Sequence, residues 1–319
     1  MTVSTKPRGK ILVVRGGAIG DFILTLPVLR ALRDRFSTAE LEVLGYPHIV
    51  QVAQSGGLVD RVSAIEARGM AGFFARNGTL DKALSDYFSE FSMILSYLYD
   101  PDGVFRENVA RCSEAQFVEG PHRPDETQTI HATDVLLQPL ERLAIFDADP
   151  VPRLDLGIRP PDESLDLAGA HAGVSLRWLA AHPGSGSEKK NWPEARWAVL
   201  LEKLAEETRL RFLLVGGEAE GDRLERLARI LPVERVRVAR SLPLADVALL
   251  LRQCHVFLGH DSGISHLAGA LGVRGLVLWN DTNPAIWKPR TELLDLLQAP
   301  GGLNALSETT VFERMREFA

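Results

Sequence analysis

Five short stretches of this 319-residue chain carry side chains able to do chemistry. The first is Arg15-Gly16-Gly17-Ala18-Ile19-Gly20-Asp21. Its glycines let the backbone approach a ligand closely. Their spacing is not the G-x-G-x-x-G dinucleotide fingerprint, and no Gly-Lys-Ser/Thr follows to make a Walker loop. Asp21 is either an acid favoured by the dipole of the helix it opens or a general base at the mouth of a cleft. The second stretch runs from His182-Pro183-Gly184-Ser185 through Lys189-Lys190 to Trp192-Pro193. Small residues with exposed N–H groups and hydroxyls suit an anion, and a nearby lysine can neutralise a phosphate. Lys189 reads as a surface lysine, while Lys190 reads equally well as a surface residue or a phosphate ligand.

The third stretch is Gly259-His260-Asp261-Ser262-Gly263-Ile264-Ser265-His266. Free N–H groups at such a helix start make a ready diphosphate site, and Ser262 and Ser265 add hydroxyl donors. Asp261 would repel a phosphate, so it is expected to orient the loop or meet a sugar hydroxyl. His266 is either a donor to phosphate or a packed core histidine. A metal at His260, Asp261 and His266 would lack a third well-spaced ligand, and no metal is expected. The fourth, Gly216-Gly217-Glu218, puts a carboxylate where a strand end can hold two ribose hydroxyls, or simply exposes a glutamate. The fifth, Trp279-Asn280-Asp281-Thr282-Asn283-Pro284, either lines a base pocket or forms a turn.

Every one of these stretches follows a short apolar run. Strands are expected at Ile11–Val14, Leu41–Leu44, Met93–Tyr97, Trp178–Ala181, Phe212–Val215, Val256–Leu258 and Leu276–Trp279. Longer amphipathic segments alternate with them: a helix through Leu24, Val28, Leu29 and Leu32, one from Pro193 to Glu206, and one opening at Ser265–Leu271. Gly45-Tyr46-Pro47 reads as a loop. The alternation predicts βαβ units and parallel sheets, an α/β fold. Asp and Pro cluster over residues 147–165, which marks a linker between domains 1–158 and 159–319. A last helix over Val311–Phe318 is expected to be able to cross back onto the first domain. Two wound domains facing one another would leave a cleft between their strand ends.

Composition narrows the function classes. The chain is 45% hydrophobic and 24% charged, with a net charge of −6, most of it in the first half. Neither half is a nucleic-acid binder by charge. Cys112 and Cys254 stand far apart and suggest a reducing compartment. Ile11–Val14 is too short for a signal-peptide core, and no run approaches a membrane span. A cytoplasmic protein is expected, with peripheral contact at the inner membrane surface compatible with the sequence.

Taken in order, the stretches resemble glycosyltransferase family 9, the ADP-heptose:lipopolysaccharide heptosyltransferases. The matching residues are Gly20-Asp21 followed by Pro27, His182-Pro183-Gly184, Lys190 with Trp192-Pro193, Gly217-Glu218, and Asp261-Ser262-Gly263 with Ser265-His266. The resemblance implies a GT-B fold and inverting, metal-independent transfer from a nucleotide-diphosphate sugar, with no separate cofactor. It implies Asp21 as the base, with Gly17 and Gly20 on the acceptor side, and Lys190 as the group that meets the departing diphosphate. Glu218 would hold the ribose. Ser262, Gly263 and His266 would cradle the phosphates, and Asp261, Ser265, Ser185 and Thr282 would complete the donor site. The chain departs from the family at Asn280-Asp281-Thr282, where Gly-Pro-Thr is common. The implied acceptor is a glycan or glycolipid. Two rivals share the fold: a nucleotide-sugar epimerase, which needs no acceptor, and a nucleotide-sugar-binding protein without catalysis. Asp21 and Lys190 favour the transferase.

Overall fold

A computed structural model describes residues 9–157, 165–167 and 177–318. The chain divides into two compact units, Met1–Pro150 and Val151–Ala319, where the sequence reading put the boundary at 158. The described part of the Asp/Pro-rich stretch lies on both sides of that division; residues 158–164 of it fall outside the described residues. The N-terminal segment 1–8 also falls outside them.

The first unit is built on a parallel sheet of five strands. They are β1 (Lys10–Arg15), β2 (Glu40–Gly45), β3 (Arg61–Ala64), β4 (Met93–Ser96) and β5 (Gln116–Glu119), in the order β3-β2-β1-β4-β5. Ile11 to Val14 are buried along their whole length, as a central strand covered on both faces demands. The apolar segment after β1, expected as one helix, forms two: Ile19–Ile23 and Leu26–Arg35. Pro27 explains the break, because it lacks an N–H and its ring clashes with the carbonyl one turn back. Tyr46-Pro47 is not a loop. Tyr46 caps a helix over Pro47–Ser55, with Pro47 in its first turn, where a missing N–H costs nothing.

The second unit contains β6 (Trp178–Ala181), β7 (Arg211–Gly216), β8 (Val236–Arg240), β9 (Val256–His260), β10 (Gly275–Leu278) and β11 (Leu294–Leu297). They pair in parallel in the order β11-β10-β9-β6-β7-β8. Both sheets therefore reverse direction beside their first strand: between β1 and β4 in one unit, and between β6 and β9 in the other. Sheets of this doubly wound kind bind ligands beyond the carboxyl ends of the strands at that reversal. Pro193 is the cap of the following helix, Glu194–Glu207, rather than its first residue.

The apolar face of the C-terminal helix, Glu308–Arg316, packs within the second unit. Val311, Phe312 and Met315 are buried in one core with Trp197, Leu200, Leu201 and Leu204 of Glu194–Glu207. The Trp192 indole N–H donates to the Leu306 carbonyl at 3.1 Å, which ties the approach to this helix into the same core.

Candidate functional site

In the first unit, Asp21 is the third residue of its short helix. Its Oδ2 accepts from the Ala18 N–H at 2.9 Å, which satisfies one donor at the helix start. Gly17 stands at φ +100°, and a Cβ there would fall 2.7 Å from Asp21 Oδ2. The carboxylate thus occupies space that only glycine leaves. Oδ1 lies 3.8 Å from the Arg15 guanidinium, and the Asp21 side chain keeps 32% of its surface exposed. Arg15 itself is buried. It donates to the His122 carbonyl at 2.8 Å and the Asp21 carbonyl at 3.2 Å. Burial pulls its pKa down, while the Asp21 charge acts to raise it. Arg15 is the last residue of β1, so a rigid strand end fixes the cation that holds Asp21. Gly20 sits in the helix, and its carbonyl accepts from the Leu24 N–H at 2.9 Å. Just beyond β4, the exposed Tyr99 ring stands 4.7 Å from that of His122.

In the second unit, two stretches far apart in sequence meet. Lys190 Nζ reaches Asp261 Oδ2 at 2.5 Å; the Lys190 side chain is 35% exposed and that of Asp261 only 8%. Asp261 immediately precedes Ser262, the cap of the helix Gly263–Ala270. An ammonium is therefore held one residue from a helix start whose first N–H groups have no intrahelical acceptor. Asp261 was expected to orient the loop or to meet a sugar hydroxyl; in the structure its partner is the Lys190 ammonium.

His260, at the end of β9, joins the same two loops. Its Nε2 accepts from the Trp192 N–H at 2.9 Å, and its Nδ1 lies 3.3 Å from the Gly184 carbonyl. With Nε2 accepting, the proton sits on Nδ1 and is donated to Gly184. His260 is fully buried, which pushes its pKa down to about 3. His182 is likewise buried, its Nδ1 2.8 Å from the Val215 carbonyl, and desolvation lowers its pKa. These neutral imidazoles are struts that fix the loops after β6 and β9.

The remaining expected residues divide. Gly263 opens the helix, and the Ser262 hydroxyl accepts from the Ser265 N–H at 3.4 Å. His266 is buried one turn into the helix. The Ser265 hydroxyl does not face outward: it is fully buried and donates to the His260 carbonyl at 2.5 Å. The Ser185 hydroxyl is similarly committed, donating to the Ser187 carbonyl at 2.8 Å. Both are short polar side chains that satisfy the bends they occupy. Glu218 is exposed beyond β7, while Glu220 turns inward and accepts from the Gly217 N–H at 2.5 Å. A Cβ at Gly184 would collide with that Glu220 carboxylate. Thr282 lines a separate cavity beyond β10 and β11 whose wall includes none of Ser262, Gly263, Ser265 or His266.

Three residues hold these loops in ways the sequence did not assign to them. Arg223 donates to the Pro183 carbonyl at 3.1 Å and reaches Glu188 at 3.3 Å, so it clamps the loop that carries Lys190. Asn280 donates from its side chain to the Lys189 carbonyl at 2.9 Å. Glu220 is hidden in an acidic run whose exposed member, Glu218, looked the more informative.

The second unit is a doubly wound sheet whose reversal carries a lysine and a helix start. Solved structures share the fold. The glycosyl transferase family 9 structure from Veillonella parvula matches with a TM-score of 0.78 at 18% identity, covering 97% of each chain. The structure of E. coli ADP-heptose lps heptosyltransferase II matches at 0.74 and 15%, covering 97% of this chain and 98% of that one. The fold is the α/β GT-B type of these transferases. Residues 136–312, over half of the chain, match glycosyltransferase family 9 (heptosyltransferase), and the chain belongs to that family of glycosyltransferases. It is 40% identical over 118 residues to lipopolysaccharide heptosyltransferase 1 of Pseudomonas aeruginosa, across 37% of this chain and only 32% of that relative. It is 23% identical over 310 residues to a putative glycosyltransferase of Haemophilus influenzae, covering 88% and 86% of the two chains.

Proposed function

We propose that this glycosyltransferase moves a sugar, a heptose carried on ADP, to a hydroxyl of a glycan or glycolipid in lipopolysaccharide core or related surface-glycan synthesis, with inversion at the anomeric carbon. The observation that carries the donor half of this reading is the Lys190–Asp261 pair at the start of the helix Gly263–Ala270. A diphosphate placed there meets an ammonium and a helix N-terminus together. Asp261, already holding the lysine, gives it a fixed position before a ligand arrives. The choice of ADP-heptose draws on the names of the relatives, including an E. coli heptosyltransferase solved with ADP.

In the reaction the acceptor oxygen forms a bond to the anomeric carbon as the bond to the β-phosphate oxygen breaks. The acceptor proton passes to Asp21, and the leaving diphosphate takes the electron pair. Asp21 suits this role because its carboxylate is oriented by Ala18 and Arg15 yet remains partly open. Lys190, Gly263 and Ser262 meet the charge that grows on the diphosphate, the kind of stabilisation that lowers a barrier most. His266 lies on the same helix and joins them, and Glu218 engages the ribose. No helix among the described residues is long and apolar enough to cross a membrane. We place the reaction on the cytoplasmic side, with peripheral contact at the inner membrane where the acceptor is a glycolipid.

A thermal-shift screen against ADP, UDP, GDP, CMP, NAD and the matching sugar nucleotides tests the donor, because a bound ligand raises the melting temperature by mass action. Stabilisation by ADP and ADP-heptose alone is expected. A response to UDP or GDP compounds instead would reassign the donor. Conversion of the sugar with no acceptor present would point to an epimerase.

A further inference from the structure

The second unit holds a cavity of about 590 Å³ beyond the ends of β10 and β11. Its size falls within the ~300–1,000 Å³ of small-molecule sites. We propose that it is a subsite for a neutral saccharide, an uncharged segment of the acceptor glycan; the assignment to the acceptor rests on the transferase reading above.

The lining selects the ligand class. Four residues with amide side chains, Asn191, Asn280, Gln298 and Asn304, line it from three loops. Amides offer donor and acceptor side by side, the pattern that vicinal sugar hydroxyls can engage. Charge argues against an anion. Glu188 and Asp281 oppose the single Lys189, and Glu188 already pairs with Arg223 at 3.3 Å. Shape argues against a nucleobase. Trp279, the aromatic residue in the wall, is buried, and its indole N–H is committed to the Thr282 carbonyl at 2.6 Å. No aromatic face is left open there for a base to stack on.

The wall is linked to the chemistry. Gln298 donates to the Asn280 carbonyl at 3.1 Å, and Asn280 donates to the Lys189 carbonyl at 2.9 Å. Lys190 is the next residue. Gly302, at φ +76°, keeps this wall clear, since a Cβ there would come within 2.8 Å of Asn280 Oδ1.

The test is saturation-transfer NMR on the full chain with neutral gluco-, galacto- and manno-configured di- and trisaccharides, with and without saturating ADP. At least one saccharide is expected to bind, and ADP should not displace it. Asn304→Ala should weaken that binding about tenfold, the loss of one well-made hydrogen bond. It should leave the melting temperature unchanged, because the Asn304 side chain is exposed. Asn304→Trp, at the exposed rim, should block the cavity while leaving ADP stabilisation intact. Binding by none of the saccharides, or binding that survives both substitutions, would overturn the proposal. Displacement by ADP or adenosine would reassign the cavity to the base. Failure of the transferase reading would appear separately, as saccharide binding in a protein that no sugar nucleotide stabilises.

Discussion

Replacing Lys190 by methionine keeps the stem of the side chain and removes the charge. Two unit charges about 3 Å apart interact by ~5 kcal/mol at an effective dielectric of ~20 and by ~1.4 kcal/mol at ~80. Lys190 is 35% exposed, so an intermediate value applies. A loss of ~2–4 kcal/mol of transition-state stabilisation corresponds to roughly 30- to 1,000-fold in kcat/KM. The substitution also strands Asp261, whose carboxylate is buried, and losing its partner should cost ~1–3 kcal/mol of stability. The two effects separate in a cycle. Adding Asp261→Asn to Lys190→Met relieves the stranded charge, so the melting temperature should recover while turnover should not. Steady-state rates with ADP-heptose and an acceptor, together with calorimetric ADP titration, read both. If Lys190→Met turned over within twofold of the wild type and bound ADP equally well, Lys190 would be a surface residue whose only partner is Asp261.

Asp21→Asn should abolish transfer with ADP affinity nearly intact, and wild-type turnover in that variant would remove Asp21 from the role of base. Gly17→Ala should cut activity sharply by forcing strain at φ +100° and pushing on the Asp21 carboxylate; an unchanged rate with an unchanged crystal position of Asp21 would contradict it. Stability should fall on acidification below about pH 6.5, the ordinary histidine value. His260 has its folded pKa depressed to about 3, so between those values the unfolded chain takes up a proton that the native state refuses. Its contribution is complete above the unfolded value and is lost toward the folded one, at up to ~1.4 kcal/mol per pH unit. Melting temperatures of the wild type and of His260→Asn across pH 4–8 measure this, and parallel curves would show that the imidazole is not the cause.

The legibility of the fold followed burial. All seven interior strands of the two sheets, β1, β2, β4, β6, β7, β9 and β10, appear as largely apolar runs, because parallel strands are covered on both faces; the buried Glu42 in β2, which accepts from the Ser63 and Tyr87 hydroxyls, is the charged exception. The four that left no run, β3, β5, β8 and β11, are the four sheet edges. Arg61–Ala64 and Val236–Arg240 are largely half-buried or exposed and carry arginines, as edges that must not recruit another strand do. Their absence from the pattern is therefore a property of where they lie. The break at Pro27 and the helix at Pro47 turned on where a proline falls within a turn, which is a local steric question that periodicity does not address.

At the site, residue type picked out loops that meet in the structure but not which way each side chain turns. Ser185, Ser262 and Ser265 look alike as hydroxyl donors near an anion. A bend after a strand leaves carbonyls that need donors, and Ser185 and Ser265 supply them, so only Ser262 keeps its place at the helix start. The same need explains His260. Being buried and neutral, it can accept from Trp192 and donate to Gly184 at once, which no lysine or carboxylate could do there. That bridge joins the loops that carry Lys190 and Asp261. His260 is adjacent to Asp261 and bonds the N–H two residues after Lys190, so the acid-driven loss of that histidine's neutrality should release the lysine before it unfolds the sheet. Loss of ADP affinity at a higher pH than loss of melting temperature would support this order, and coincident losses would oppose it.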